Sequence, residues 1–371
     1  MKKRAIKCIF LLFSIVILAG CKTSGSINST DLDTNIPIPR PAFEVEKERS
    51  NPDRATRISL EQYRGPIIDA HVHLDPPSDG HINDAYLKEI LEVVGETGVK
   101  TIIFMPTPNE GRRHNHEIGV KQKKKLFELD RQRIGLFCGS NYITYWLHKA
   151  FRNGYKKEEL NVILKRLSKD LDSNEYMGVG EIGIYHFRKH GNQKVIQYPP
   201  NFEPFLRIMK LISEKQMWLD IHAEPVDPNG KSFEEQIFGG IELLYRLNPK
   251  LKLILSHTGM TNPLNARRIL LKYPNLMMNI KIEKKHQRWR NLEPVVNPEG
   301  ELYEDWAKLF NEMPERFMIG TDAKFGRKSF KMKKYNKLIK QMRRMLGTLN
   351  PDAAKLIAYE NAKKRLVNVD F

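Results

Sequence analysis

Eight short apolar runs, separated by longer amphipathic or charged segments, limit the possible folds of this chain most strongly. The runs cover residues 66–74, 101–105, 134–140, 176–184, 217–222, 251–257, 276–282 and 316–322. Each intervening segment, for example residues 84–96 or 202–215, is long enough for one helix. Eight such strand–helix units need about 250 residues and predict a (β/α)8 TIM barrel. A doubly wound open sheet is the alternative.

Five of the runs carry side chains that commonly bind metal ions. These side chains are His71, His73, Glu181, His222, His257 and Asp322. The ends of the first, fourth, fifth, sixth and eighth strands converge on one pocket in a barrel, whereas an open sheet would string them out. In a strand, His71 and His73 point to the same side, so both imidazoles can reach one ion. The pattern therefore predicts a metal site inside a barrel.

The order of these residues resembles the amidohydrolase superfamily of metal-dependent hydrolases, along residues 66–366. His71-Val72-His73 matches the His-x-His of the first strand in that family. His222 and His257 match its fifth- and sixth-strand histidines, and Asp322 matches its eighth-strand aspartate. The resemblance implies a single catalytic barrel that holds one or two divalent ions. Zinc is the expected metal, although manganese, nickel or iron would suit the same nitrogen and oxygen ligands.

Glu181 separates two branches of this family. The sequence Gly178-Val179-Gly180-Glu181-Ile182-Gly183 is similar to the TatD-like branch, in which a glutamate bridges two metals. Gly320-Thr321-Asp322 and Tyr359-Glu360-Asn361-Ala362 are closer to the amidohydrolase-2 branch, many of whose members hold one metal. A carboxylate here can also orient a ligand histidine or bind substrate.

Two ligand sets follow from the two branches. With a bridging Glu181, one ion takes His71, His73 and Asp322, and the other takes His222 and His257. With one ion, the set is His71, His73, His222 and Asp322, and His257 polarises the substrate carbonyl or phosphoryl group.

The resemblance implies a hydrolase in which metal-activated water attacks an ester, lactone, amide or phosphoester. Asp322 and His257 are the catalytic candidates, because an aspartate can bind metal and also accept a proton from water whose pKa a divalent ion lowers to about 7. The alternatives are a TatD-like nuclease, an amidohydrolase-2-type decarboxylase, and a surface lipoprotein that binds metal or ligand without turnover. Asp69 either supports the two histidines of the first strand or is a strand-end residue bonded to the backbone.

Basic residues follow the seventh and eighth strands, where barrels often build an anion site. Arg288 and Arg290 follow the seventh strand, and Lys324 and Arg327 follow the eighth. They predict a small anionic substrate; a solvated basic surface is the alternative. The formal charge of +18 makes nucleic acid a further but less favoured partner. The sequence has no Gly-rich nucleotide loop and no zinc-finger cysteine pattern.

The N-terminus predicts an exported lipoprotein. Basic residues precede the apolar run 9–18, and Leu18-Ala19-Gly20-Cys21 resembles a bacterial lipobox, in which the chain is cut before the cysteine that receives the lipid. The expected organisation is a signal over 1–20, a tether over 21–60 and the barrel over 61–371. Loss of Cys8 and lipidation of Cys21 would leave Cys138 as the one free thiol, so no disulfide is expected within the mature chain.

Overall fold

Parallel strands that close into a barrel form the centre of the molecule. The computed structural model describes residues 36–47, 62–75, 82–108, 116–187, 195–282, 294–297, 299–327 and 329–367. The strands are β1 Ile67–Leu74, β2 Val99–Phe104, β3 Ile134–Gly139, β4 Gly178–His186, β5 Ile196–Gln197, β6 Trp218–Ala223, β7 Lys252–Leu255, β8 Leu276–Ile280, β9 Phe317–Ile319 and β10 Ala323–Phe325.

The strand order confirms the predicted (β/α)8 barrel and excludes the open sheet. Neighbouring strands run β10-β1-β2-β3-β4-β6-β7-β8-β9, with parallel pairing throughout this path. The two short strands β9 and β10 together fill the eighth position. β9 pairs with β8 and β10 pairs with β1, so the segment that contains both short strands joins the two ends of the sheet into a barrel. The short strand β5 pairs with β4 in the antiparallel direction.

Amphipathic helices cover the outside of the strands. They are α1 Asp84–Glu96, α2 His116–Leu129, α3 Ser140–Asn153, α4 Lys157–Leu171, α5 Glu203–Glu214, α6 Glu234–Leu247, α7 Pro263–Lys272, α8 Glu304–Glu312, α9 Met332–Leu346 and α10 Pro351–Lys355. In α5 a proline lies in the first turn, and Phe205, Ile208, Met209 and Ile212 are buried at the spacing of one helix face. Helix and strand side chains together form the main apolar core.

Two strands end earlier than the sequence predicts. The apolar run 251–257 forms a strand only as far as Leu255, and Ser256–Met260 continues as a tight turn. The run 316–322 forms β9 only as far as Ile319. The reason is the backbone of His257 and Asp322, which have φ of 58° and 53°, in the left-handed region that ends a strand.

A second apolar cluster lies within the barrel and closes one of its ends. It takes side chains from most of the strands, namely Ile68, Ala70, Ile103, Met105, Phe137, Trp218, Ile254, Met277 and Met318. Ala362 and Leu366 from the C-terminal helical segment pack against it, and the Trp218 indole donates a 2.8 Å hydrogen bond to the Arg365 carbonyl. Because Trp218 is the first residue of β6, this bond places the C-terminal segment at the N-terminal end of the barrel.

Residues 36–47 of the predicted tether lie along the outside of the barrel. The Glu46 N–H donates a 2.8 Å hydrogen bond to Oδ1 of Asn265 in α7. The Phe43 ring packs against Phe238 of α6, with ring centroids 5.5 Å apart. The signal and Cys21 lie outside the described residues, so lipidation stays a prediction. Among the described residues, no helix has the length and apolar character that crossing a membrane requires.

Arg316 joins the end of one helix to the start of the next strand. Its guanidinium is buried and donates to the carbonyl of Leu270 at 2.7 Å, to that of Leu276 at 2.6 and 3.1 Å, and also to that of Tyr273. These carbonyls lie at the C-terminal end of α7 and the beginning of β8. One side chain therefore satisfies backbone acceptors that would otherwise be buried without donors.

We expect Arg316→Met to lower the free energy of unfolding by about 2–4 kcal/mol, because it leaves several buried carbonyls without donors. Urea denaturation followed by circular dichroism measures this change. Arg267→Met is the matched control, since Arg267 is exposed and pairs with Glu312 at the surface. A loss no larger in Arg316→Met than in the control would contradict the assigned role of Arg316.

Candidate metal centre

The six predicted metal ligands come together at the C-terminal end of the barrel. His71 and His73 lie on β1, Glu181 on β4 and His222 on β6. The other two residues, His257 and Asp322, occupy the left-handed turns that follow β7 and β9. Each of the six residues is at most 9% exposed. The expected convergence of strand ends therefore occurs, although two of the side chains extend from turns.

The Glu181 carboxylate lies between two pairs of histidines. Its Oε2 is 3.7 Å from His71 Nε2 and 3.4 Å from His73 Nε2. Its Oε1 is 2.6 Å from His222 Nδ1 and 3.5 Å from His257 Nε2. Each oxygen thus faces one of the two histidine pairs that the bridging alternative assigns to separate ions.

The Asp322 carboxylate also has two different sides. Its Oδ1 is 3.0 Å from His73 Nε2, and its Oδ2 is 4.0 Å from His257 Nε2. Lys324 approaches Oδ1 at 2.5 Å, and Lys281 approaches Oδ2 at 2.8 Å. Lys281, which follows β8 directly, was not among the predicted residues; its position after a strand end was the available signal.

The donor atoms fit a divalent cation. His73 Nδ1 lies 2.9 Å from the Met105 carbonyl and His71 Nδ1 lies 3.2 Å from Asp220, so each ring directs Nδ1 to an acceptor and leaves Nε2 as the nitrogen that would bind an ion. Both Nε2 atoms are buried, and neither forms a hydrogen bond with the residues that the structure describes. Donors bound to a tetrahedral ion at about 2.0–2.2 Å lie about 3.3–3.6 Å apart, close to the separations at Glu181. His71, His73 and Glu181 form one group with metal-binding spacing, and Glu181, His222 and His257 form another.

Asp220 supports this cluster and was missed by the sequence analysis. Its Oδ2 faces His71 Nδ1 and accepts a 3.2 Å hydrogen bond from Asn279 Nδ2, while its Oδ1 accepts from the Ser256 hydroxyl. The Asn279 Oδ1 accepts a 2.8 Å bond from the His257 N–H. Asp220 lies two residues before His222, which was the only available signal.

The buried charges shift one another's pKa values. Burial alone would lower the pKa of His71, but the Asp220 and Glu181 carboxylates outweigh it and raise this pKa to about 10. Burial alone would raise the pKa of Asp322, but Lys281 and Lys324 hold it well below its usual value. Burial, assisted by Lys281, lowers the pKa of His257. The cluster therefore has ionised carboxylates at its centre. They favour positive charge at His71, which either a proton or a metal cation can supply.

Asp69 is bonded to the segment beside the site instead of to the histidines. Its carboxylate accepts from the Thr321 N–H at 2.9 Å, from the Thr321 hydroxyl at 2.6 Å and from the Tyr335 hydroxyl at 3.1 Å. The pairing of β1 with β2 shifts in register between Asp69 and Val72. Burial raises the Asp69 pKa to about 6, despite these bonds. These partners agree better with the second predicted role of Asp69, that of a strand-end residue bonded to the backbone, than with support of the two histidines.

The predicted anion-binding residues divide into three cases. Lys324 lies at the site and pairs with Asp322. Arg327 instead pairs with Asp75, a buried residue that follows β1. Arg288 and Arg290 lie outside the described residues. Of the two residues that the structure describes, Lys324 lies at the central carboxylates and Arg327 pairs elsewhere.

Two further residues at the strand ends contact His222 and were not predicted. His186 is the last residue of β4, and its Nδ1 is 3.1 Å from His222 Nε2. Glu224 follows β6, and its Oε1 is 3.3 Å from the same nitrogen. His222 therefore faces Glu181 with one ring nitrogen and this pair with the other.

Comparison with known proteins gives likeness in fold only. No known family model matches the sequence, and no curated protein sequence matches it. A candidate metal-dependent hydrolase from Lactobacillus casei is 13% identical, with 84% of this chain and 100% of that chain covered at a TM-score of 0.52. The 4-oxalomesaconate hydratase of Rhodopseudomonas palustris is 12% identical, with 81% and 95% covered at a TM-score of 0.51.

A third structure, the IDCase of Metarhizium anisopliae in its apo form, is 12% identical, with 82% and 97% covered at a TM-score of 0.50. Identities this low establish a shared architecture and leave the chemistry to the residues of this chain. By its structure, the chain has the (β/α)8-barrel fold, and it shares its overall architecture with these three solved structures.

Proposed function

We propose that this protein is a metal-dependent hydrolase with two divalent ions held across Glu181. The observation that carries the proposal is the position of its carboxylate, with Oε2 within 3.7 Å of the His71 and His73 nitrogens and Oε1 within 3.5 Å of those of His222 and His257. A single ion would need only one of these sides. The likeness in fold to a candidate metal-dependent hydrolase supports the same reaction class.

The residues present would hold two ions in the way the bridging alternative expects. His71, His73 and Asp322 would bind one, His222 and His257 the other, and Glu181 both. When bound, such ions supply Lewis acidity that lowers the pKa of water and polarises a carbonyl or phosphoryl oxygen. Zinc is the metal we favour, because a set of histidines and carboxylates suits it.

Asp322 would combine metal binding with proton transfer. Its Oδ1 lies beside His73, so this oxygen is the one that would contact an ion. Its Oδ2 points toward His257 and Lys281, on the side away from His73, and would be the oxygen that accepts a proton during turnover. A carboxylate with one oxygen for each role suits the hydrolysis of an ester, lactone, amide or phosphoester.

Lys281 and Lys324 favour an anionic substrate. Both ammonium groups lie within 2.8 Å of the Asp322 carboxylate, at the centre of the site. An ion bound by Asp322 would compete with them for its negative charge, and their positive charge would then be available to a substrate carboxylate or phosphate. This support is independent of Arg288 and Arg290.

We expect His71→Ala to lower both metal content and hydrolysis at least about 100-fold, because it removes a direct ligand. Zinc content by mass spectrometry and a panel of ester, lactone, amide, phosphodiester and decarboxylation substrates measure these effects. His148→Ala is the control, since His148 is a buried histidine that lies by the Gln197 backbone. Wild type without turnover on the whole panel, or equal activity in His71→Ala, would contradict the hydrolase.

Glu181→Gln tests whether two ions are held. The substitution keeps the shape of the side chain but removes its charge, so we expect the number of tightly bound zinc ions to fall from two to one or none. Equilibrium dialysis with metal analysis gives this number. Glu242→Gln, in which a surface partner of Lys272 is neutralised, is the control. One ion in wild type, unchanged in Glu181→Gln, would favour the single-ion alternative.

Asp220→Asn tests the support beneath His71. We expect zinc affinity to fall about 10–100-fold, with the fold preserved, because the residue that orients the ligand loses its charge. Competition with a chromogenic chelator gives the dissociation constant, and thermal unfolding shows whether the barrel is intact. Asp172→Asn is the matched surface change, since Asp172 pairs only with exposed groups there. Unaltered zinc affinity in Asp220→Asn would remove this role.

A further inference from the structure

A second group of donor atoms lies at the mouth of the barrel, next to the central cluster. It consists of His186, His222 and Glu224, and we refer to it as the mouth triad. His186 ends β4 and Glu224 follows β6, so both lie where the strands reach the C-terminal face. Their backbones are joined by a 2.8 Å hydrogen bond from the Glu224 N–H to the Tyr185 carbonyl. The triad is thus fixed to two neighbouring barrel strands.

The three donor atoms form a nearly equilateral triangle. His186 Nδ1 is 3.1 Å from His222 Nε2 and 3.3 Å from Glu224 Oε1, and the last two atoms are 3.3 Å apart. Ligands of a tetrahedral zinc ion are expected about 3.3 Å apart when the bonds are about 2.0 Å long. The triangle therefore has the size of one face of a tetrahedral coordination shell. The same atoms form a group with metal-binding spacing.

The His222 ring turns Nε2 toward the other two members of the triad. Its Nδ1 is only 2.6 Å from Glu181 Oε1, the length of a strong hydrogen bond to a carboxylate. With Nδ1 bonded to Glu181, Nε2 is the ring nitrogen left to bind an ion. Nε2 faces His186 and Glu224, so it is the nitrogen that an ion in the triangle would contact.

The Glu224 carboxylate is also held in place. Its Oε2 accepts a 2.8 Å hydrogen bond from the Phe187 N–H, which turns Oε1 toward the two histidines. A ligand carboxylate whose second oxygen is fixed by a hydrogen-bond donor is typical of metal sites.

We propose that the mouth triad is a separate binding site for a divalent cation, most suited to zinc. Two histidines and one glutamate are a known ligand set for zinc sites that keep an open fourth position. His186 is the most exposed member of the triad, with a side chain 16% exposed, whereas those of His222 and Glu224 are 4% and 1% exposed.

His222 couples this site to the central one. A neutral imidazole offers one electron pair, so it serves either the mouth ion through Nε2 or a central ion through Nδ1. Occupation of the mouth triad is compatible with an ion at His71, His73 and Asp322, while Glu181 keeps its bond to His222 Nδ1. The mouth ion and the second central ion therefore compete. This inference goes beyond the proposed hydrolase, and its test measures binding without turnover.

The test uses full-length protein with His257→Ala, which weakens the second central position and leaves the mouth triad intact. We expect this variant to bind two zinc ions in equilibrium dialysis. Adding His186→Asn should weaken binding of the second ion at least about 100-fold, since a direct ligand is lost. Adding His148→Asn instead should leave the affinity for the second ion unchanged, because His148 lies by the neighbouring β5 backbone and outside the triad. One ion in His257→Ala, or no effect of His186→Asn, would overturn the proposal.

A crystallographic measurement on wild type covers the case in which a variant fails to fold. Crystals soaked in zinc should give an anomalous peak about 2.0–2.2 Å from His186 Nδ1, His222 Nε2 and Glu224 Oε1. Zinc peaks at the central cluster with none at the triad would overturn the mouth site and leave the hydrolase proposal standing. A peak at the triad with no central zinc would support the mouth site and contradict the hydrolase proposal. The failure of one proposal can therefore be told from the failure of the other.

Discussion

The buried carboxylate of Asp220 imposes the constraint on which the arrangement of the site depends. A charge without solvent is tolerated only where donors surround it, and here the Ser256 hydroxyl, the Asn279 amide and the His71 ring do so. These partners come from β1, the turn after β7, and β8. The charge thus links β1, β6, β8 and the turn after β7 to the orientation of His71, a candidate metal ligand.

The same network explains why two candidate ligands can occupy unfavourable backbone conformations. His257 and Asp322 both have positive φ, which is uncommon for residues other than glycine. The His257 N–H is held by Asn279 Oδ1 at 2.8 Å, and the Asp322 N–H is held by the His71 carbonyl at 2.9 Å. Fixed backbone bonds of this kind redirect both side chains into the centre. The alternation of side chains along a strand would not by itself direct both of these side chains to the centre.

Residue patterns predict the barrel and the six central side chains because strand ends and apolar periodicity are local properties. The partners of those side chains are not local. Asp69-Ala70-His71 and Asp220-Ile221-His222 look alike as sequence, yet Asp69 bonds to Thr321 and Tyr335, whereas Asp220 supports His71 on a distant strand. The register shift in β1 and the left-handed turn at His257 depend on tertiary contacts in the same way. For this reason Asp220, Asn279, His186, Glu224 and Lys281 were not predicted.

The packing of residues 36–47 against α6 and α7 fixes the side of the barrel from which the N-terminal segment leaves. The chain leaves the barrel at a fixed flank near Ile36, where the Asn201 amide binds the Ile36 carbonyl at 2.7 Å. If Cys21 carries a lipid, the 15 residues from there to Ile36 reach at most about 50 Å. The barrel would then lie within about 50 Å of the bilayer, attached through the flank that α6 and α7 form.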